Sequence, residues 1–301
     1  MAVRRLALVA LGMTVTGAIH QAHGQTPGGA PRPGTLPGRV VDVRAGEFFF
    51  QAPDSIPAGL TTIRLEQIGL AAERARAGVT GRELVADKGD NTRGAHMLWV
   101  VRLDSGKTVA DLHRAARARE RTTTWATQLG GPGFAVPPRT SNVTLDLEPG
   151  NYVLVCYIGS AHDDRTRYHL LNGMFRALTV LPSTTTKAPA PRPDIIARIT
   201  GDGVLHLSAP VPAGRVVIRV ENETDTDYEF KLQRMRPGLT GKQFLAQGPG
   251  AGPGVPWGGL SSVPPRSAVT TTNDFEPGEY VMGTRVSIRH PTSQVITVAR
   301  R

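Results

Sequence analysis

Short apolar runs separated by turn residues recur along most of the chain. Residues 60–66, 98–103, 143–147, 151–157 and 175–181 are rich in Val, Leu, Ile, Thr and aromatic side chains, and Pro, Gly and Asp clusters bound them. Runs of this length and composition predict strands. A helix is expected at Val109–Arg119, where Thr108 follows a Gly106-Lys107 turn and can cap the free amides of the first turn. A second helix-compatible stretch runs over Leu70–Ala77. Many short strands with little helix predict an all-β chain built as antiparallel sandwiches or barrels.

The pattern occurs twice. Pro57-Ala58-Gly59 and LTTIRLEQ parallel Pro212-Ala213-Gly214 and RVVIRVEN; HMLWVVRLDSGKT from His96 parallels YEFKLQRMRPGLT from Tyr228. Trp125 before GGPGFAVPP parallels Trp257 before GLSSVPP, Glu148-Pro149-Gly150-Asn151-Tyr152 parallels Glu276-Pro277-Gly278-Glu279-Tyr280, and FRALTVLP parallels SQVITVAR. Self-similarity of this kind marks two copies of one unit. The expected organisation is a first domain at 39–182, a Pro/Thr-rich linker at 183–194 and a second domain at 195–301. The copies differ in one loop: 28 residues separate Gln67 from His96, but only five separate Asn222 from Tyr228. The 68–95 insertion is long enough to be either functional or mobile.

The first residues change the picture of where the chain works. Arg4 and Arg5 precede the apolar run Leu6–Ile19, and Ala22-His23-Gly24 provides small residues before Gln25. Those three parts predict a cleaved signal peptide over 1–24, hence a periplasmic or secreted protein, with a disordered Gly/Pro-rich segment at 25–38. The run is too short for a membrane span. Lys and Arg number 35 against 25 Asp and Glu, a net charge of +10, and the positive residues are scattered. Such a field favours an acidic partner. No nucleic-acid module signature accompanies it, so nucleic acid is not expected as a ligand.

A single thiol, Cys156, cannot form an internal disulfide, and it heads the segment CYIGSAHDDRTRYHLLNGM. That segment carries Cys156, His162, His169 and Met174 between two predicted strands, while His96 opens an earlier one. A thiolate, two imidazoles and a thioether form the donor set of a copper electron-transfer site. Copper-free alternatives stay open at this point: Cys156 as a buried thiol, Met174 as core filler and His169 as a hydrogen-bonded loop residue.

In this order of ligands the chain resembles the cupredoxin family, the blue copper proteins. The resemblance implies two tandem cupredoxin-like Greek-key sandwiches, with one type 1 copper held in the first by His96, Cys156, His169 and Met174. YHLLNGM and the two-domain layout look like copper nitrite reductases. His162 is an alternative to His169, because Cys156-x12-His169 is a long spacing for the family. The family also implies that electrons pass through the exposed edge of a ligand histidine to a redox partner. Nitrite reductases and multicopper oxidases place a histidine beside the ligand cysteine to reach a second copper. Here the neighbours are Val155 and Tyr157, so the expectation is an electron carrier and not an enzyme. A copper-free binding module and a copper oxidoreductase are the competing readings. The second repeat has Tyr228 at the position of His96, Thr284 at that of Cys156 and no Met in RVSIRHPTSQ.

Overall fold

The structure is a computed structural model that describes residues 35–85, 94–120, 123–162, 165–186, 188–246, 254–285 and 292–299. The signal peptide expected at 1–24 and most of the 25–38 segment lie outside the described residues. In the first repeat the strands are β1 (Arg39–Gly46), β2 (Phe49–Gln51), β3 (Ser55–Pro57), β4 (Gly59–Gln67), β5 (Trp99–Leu103), β6 (Ala126–Gln128), β7 (Gly131–Pro132), β8 (Ser141–Leu147), β9 (Gly150–Val155), β10 (Gly159–His162), β11 (Arg165–Tyr168) and β12 (Phe175–Leu181). The second repeat supplies β13 (Ile195–Thr200), β14 (Val204–Leu207), β15 (Gly214–Asn222), β16 (Tyr228–Arg234), β17 (Val255–Val263), β18 (Ala268–Phe275), β19 (Gly278–Arg285) and β20 (Thr292–Val298). Three short helices, α1 (Leu70–Arg76), α2 (Val109–Ala118) and α3 (Gly241–Ala246), sit in the connections. The chain is therefore all-β, and all five predicted strands form. In α2, Thr108 accepts from the Asp111 amide while Asp111 answers the Thr108 amide, a complete capping box.

In the first sandwich, one layer takes β8-β4-β1-β2 and the other β3-β12-β9-β5-β6. In the second, β14-β13-β15-β18 faces β20-β19-β16-β17. Most pairs are antiparallel; β1 with β4, β3 with β12 and β13 with β15 run parallel. Alternate residues of the layers point inward, so Val41, Val43, Ile63, Leu65 and Val143 meet Leu98, Val100, Leu154 and Leu178 in one dry core. Burial of such side chains contributes about 1.5–3 kcal/mol each and is the main term holding the layers together.

The repeats share sheets. Thr144 of β8 pairs Thr270 of β18, making one eight-stranded layer, and β7 adds to the edge of β17. Asn142 stitches the first joint by imitating a peptide group. Its Nδ2 donates to the Thr272 carbonyl at 2.6 Å, and its Oδ1 accepts from the Thr272 amide at 2.9 Å. At the second joint Gly131 has no room for a side chain, because a Cβ there would lie 1.8 Å from the Leu98 carbonyl oxygen.

The repeated Glu-Pro-Gly-x-Tyr motif is a tyrosine corner. Tyr152 Oη donates to the Glu148 carbonyl at 2.8 Å, and Tyr280 Oη to the Glu276 carbonyl at 2.9 Å. Arg102 and Arg234 occupy matching places, each pairing the motif's glutamate and reaching its proline carbonyl. One sequence parallel fails. Gln128 of β6 and Pro256 of β17 hold equivalent positions beside Val101 and Gln233, so Trp125 and Trp257 do not correspond. Trp257 is buried against Tyr280, whereas Trp125 lies under Lys107 at the surface end of β6. Among the described residues no helix is long and apolar enough to cross a membrane.

Candidate metal centre

Backbone hydrogen bonds fix the candidate ligands before any ion is considered. Cys156 follows the last residue of β9; its amide donates to the Met174 carbonyl, and its carbonyl accepts from the Leu170 amide. His169 starts a short 3-10 turn that ends at Gly173, whose φ of 98° suits a residue without Cβ. The Met174 amide then bonds the His169 carbonyl. Three of the four residues named by the sequence are thus set by one tightly closed loop. His96 comes from the extended segment before β5, where its carbonyl accepts from Gln67 Nε2 at 2.8 Å.

The side chains converge. His96 Nδ1 lies 3.3 Å from His169 Nδ1, and Cys156 Sγ lies 3.6 Å from His169 Nδ1. His96, Cys156 and His169 each offer one donor atom within 4.8 Å of the others, the one such group among the described residues. Nitrogen and sulfur ligands about 2.05 and 2.3 Å from a shared ion, at near-tetrahedral angles, would stand about 3.4 Å (N to N) and about 3.6 Å (N to S) apart. The observed spacings fit an ion held in common. A thiolate with two imidazoles selects for copper or zinc over hard cations. Met174, fully buried, is anchored to both Cys156 and His169 through its main chain.

The centre is dry. His96 is 1 % exposed, and Cys156, His169 and Met174 are 0 % exposed. Burial pushes the Cys156 thiol up to about 12, against opposing hydrogen bonds from the Ile158 and Met97 amides, so without a cation the thiol keeps its proton. The expected exposed edge of a ligand histidine is absent here. Phe48 stands edge-on to His169, centroids 5.1 Å apart, and to His96 at 6.4 Å. Phe48 has φ 62°, a left-handed conformation that a bulky residue adopts only under tertiary constraint. The long Cys156–His169 spacing is taken up by the β10–β11 hairpin, and its base carries a chain of rings: Trp99 on Tyr157 at 5.6 Å and Tyr157 on the exposed Tyr168 at 6.0 Å. His162 pairs Arg165 near the hairpin's far end through the main chain. Its side chain lies outside the described residues.

Glu47, which sequence reasoning missed, approaches the centre from the β1–β2 turn. Its Oε1 is 3.7 Å from His96 Nε2 and accepts from the Leu70 amide, at the start of α1, at 2.7 Å. Partial burial raises the Glu47 carboxyl, but contact with His96 and the Leu70 amide outweighs it, leaving a net lowering. The 68–95 insertion therefore touches the site through α1. The turn that carries it, Glu47-Phe48, stands where the second copy turns through Gly201-Asp202-Gly203.

That second copy shows what the same framework does without ligands. Thr284 stands at the position of Cys156, and Thr292, opposite it on β20, at that of Met174. The two hydroxyls lie 2.6 Å apart and each is within hydrogen-bond reach of the Gly203 carbonyl, so one donates to that carbonyl while the other donates either to it or to its fellow hydroxyl. The Tyr228 ring packs over Gly203. Among the described residues this set is threonine hydroxyls and a carbonyl, with no group of His, Cys, Asp or Glu side chains placed to share a metal ion.

No family model matches the chain, and no curated protein matches it. Among solved structures it is similar to auracyanin B, at 19% identity over 49% of this chain and 92% of that one, with a TM-score of 0.28. It is also similar to auracyanin A, a "blue" copper protein from Chloroflexus aurantiacus, at 14% identity over 47% of this chain and 98% of that one (TM-score 0.25). A Cu-containing nitrite reductase from Thermus scotoductus aligns at 10% identity over 86% of this chain and 61% of that one (TM-score 0.21). At such low scores the chemistry of this centre stands on its own donor atoms and their spacing.

Proposed function

We propose that the protein is an exported one-electron carrier with a single type 1 copper. His96, Cys156 and His169 would be the equatorial ligands and Met174 the weak axial one. The observation that carries this reading is the convergence of Cys156 Sγ and the two Nδ1 atoms, in a fully buried pocket, at the spacings of a shared ion. When bound, copper supplies a centre that cycles between Cu(I) and Cu(II) with a donor set tolerant of both. The chain's own part is to hold the donors in place through the Cys156–Met174 and His169–Met174 main-chain bonds, and to exclude water with Phe48. A framework fixed in this way needs little rearrangement when an electron moves. In the domain layout that follows, 39–182 carries the metal and 195–301 is a ligand-free copy.

Of the net charge of +10, Arg4 and Arg5 lie in the proposed signal peptide, and the +8 that remains favours an acidic redox partner. Val155 and Tyr157 beside Cys156 offer no imidazole to a second metal, which argues against the oxidoreductase reading. The test is copper loading of the mature chain. One copper per chain, a strong visible thiolate-to-copper band and its loss in Cys156→Ser support the proposal. A colourless protein that takes up no copper at stoichiometric loading overturns it. In that case the 3.3 Å Nδ1–Nδ1 contact is a hydrogen bond between neutral imidazoles in a copper-free module.

A further inference from the structure

We infer that Glu47 is a positioning residue for His96 and joins the 68–95 insertion to the metal centre. Resting on the copper reading above, the inference assigns a residue and a coupling that the ligand set alone does not contain. His96 is buried, and its Nε2 has no hydrogen-bond partner within ordinary reach. A buried imidazole N–H without an acceptor is costly, so the ring needs one on that side. Glu47 Oε1, at 3.7 Å, is the carboxylate beside it, and a shift of about 0.5–0.8 Å closes the bond.

With the ring proton on Nε2, facing Glu47, the lone pair of Nδ1 faces His169 and Cys156, as a ligand must. The opposite tautomer would aim a proton into the centre. Ligating histidines are held in this way by a carboxylate or carbonyl on their far nitrogen.

The same oxygen accepts from the Leu70 amide, so α1 and His96 hang from one carboxylate. The fit around it is close: a Cβ on Gly69 would lie 2.3 Å from Glu47 Oε2. Gln67, the last residue before the insertion, bonds the His96 carbonyl. Metal loading and the docking of α1 therefore favour each other.

The full mature chain, labelled with 15N-histidine, tests this. In the metal-free protein, long-range proton–nitrogen NMR should find His96 mainly as the Nε2–H tautomer. Glu47→Leu should lose that preference and weaken Cu(I) binding, read by chelator competition, by about 10–100-fold. Glu47→Gln keeps a carbonyl oxygen and should stay close to wild type. Cu(I) saturation should slow amide exchange over 69–76 in wild type and not in Glu47→Leu.

Gly69→Ala sets a methyl against Glu47 Oε2, which displaces the carboxylate without removing it, and should shift tautomer and affinity in the same direction even where Glu47→Leu fails to fold. Unchanged tautomer, affinity and exchange in Glu47→Leu, or in Gly69→Ala where the former does not fold, overturns the inference. If wild type binds no copper, the functional reading falls, while the metal-free tautomer still decides the role of Glu47.

Discussion

His96 and His169, 73 residues apart in sequence, bring their Nδ1 atoms to 3.3 Å in the core of the first sandwich. The contact exists because β5 and β9 are antiparallel neighbours, with Trp99 opposite Val155, so the residues just beyond each strand end meet at one edge of the layer. Cys156 is the next residue after that pair, and the 3-10 turn folds His169 back over it.

Removing the thiolate is the sharpest perturbation of the centre. Cys156→Ser should abolish the visible band and cut copper binding, while leaving the far-ultraviolet circular dichroism of the sheets unchanged. The buried hydroxyl should cost about 1–3 kcal/mol of stability, read by urea titration.

Phe48 covers both imidazoles, so its ring controls access. Phe48→Gly removes the ring and accepts the positive φ without strain. Reaction of Cys156 with a thiol reagent in the metal-free protein should become severalfold faster, and a larger cavity-lined opening should be seen as faster reduction of the copper-loaded form by small outer-sphere donors. Equal labelling rates in the two proteins would remove Phe48 from its shielding role.

Asp227 makes stability depend on pH. Burial raises its carboxyl to about 6, more than the hydrogen bond from Ser262 Oγ and the Val263 and Tyr228 amides lower it, and nearby Glu229 adds to the rise. Because the folded chain holds this proton more tightly than the unfolded one, the stabilising contribution is complete below pH ~3.8 and is lost as pH climbs through about 6. The change should be on the order of 3 kcal/mol. In Asp227→Asn that part of the pH dependence should vanish from urea midpoints measured between pH 4 and 7.

Asn142 is one fastening of the joint between β8 and β18. Asn142→Ala deletes two hydrogen bonds and leaves the Thr272 amide and carbonyl without these partners. A loss of about 2 kcal/mol is expected. The second sandwich should then unfold separately from the first, visible as two calorimetric transitions in place of one.

Each tyrosine corner should contribute about 1 kcal/mol. Tyr152→Phe and Tyr280→Phe remove one hydroxyl apiece from equivalent turns in different sandwiches. Their effects on urea stability should add, because the two sites share no partner.

Much of this was legible in the chain. Apolar runs bounded by Pro and Gly marked the strands, since a half-buried strand must alternate its faces. The matched Glu-Pro-Gly-x-Tyr turns pointed to the two tyrosine corners, and a lone thiol among histidines pointed to the residues that converge as a candidate centre. What stayed hidden depends on long-range packing. Nothing local in Glu47, Phe48 or Asn142 announces a role: a glutamate in a turn, a phenylalanine in a strand-rich stretch and an asparagine in a strand have ordinary local explanations. The pairing of Trp125 with Trp257 misled for a related reason, since sequence similarity around a loop does not fix strand register.

The sequence by itself determined the all-β class and the donor types, because periodicity and residue chemistry are local properties. Tertiary structure alone decided that the donors face one another at the spacing of an ion, that both imidazoles are shut from water, and that the repeats share a sheet. Those facts depend on which strand edges pair across many residues, and register of that kind is set by the packing of the whole sandwich and by no short segment within it.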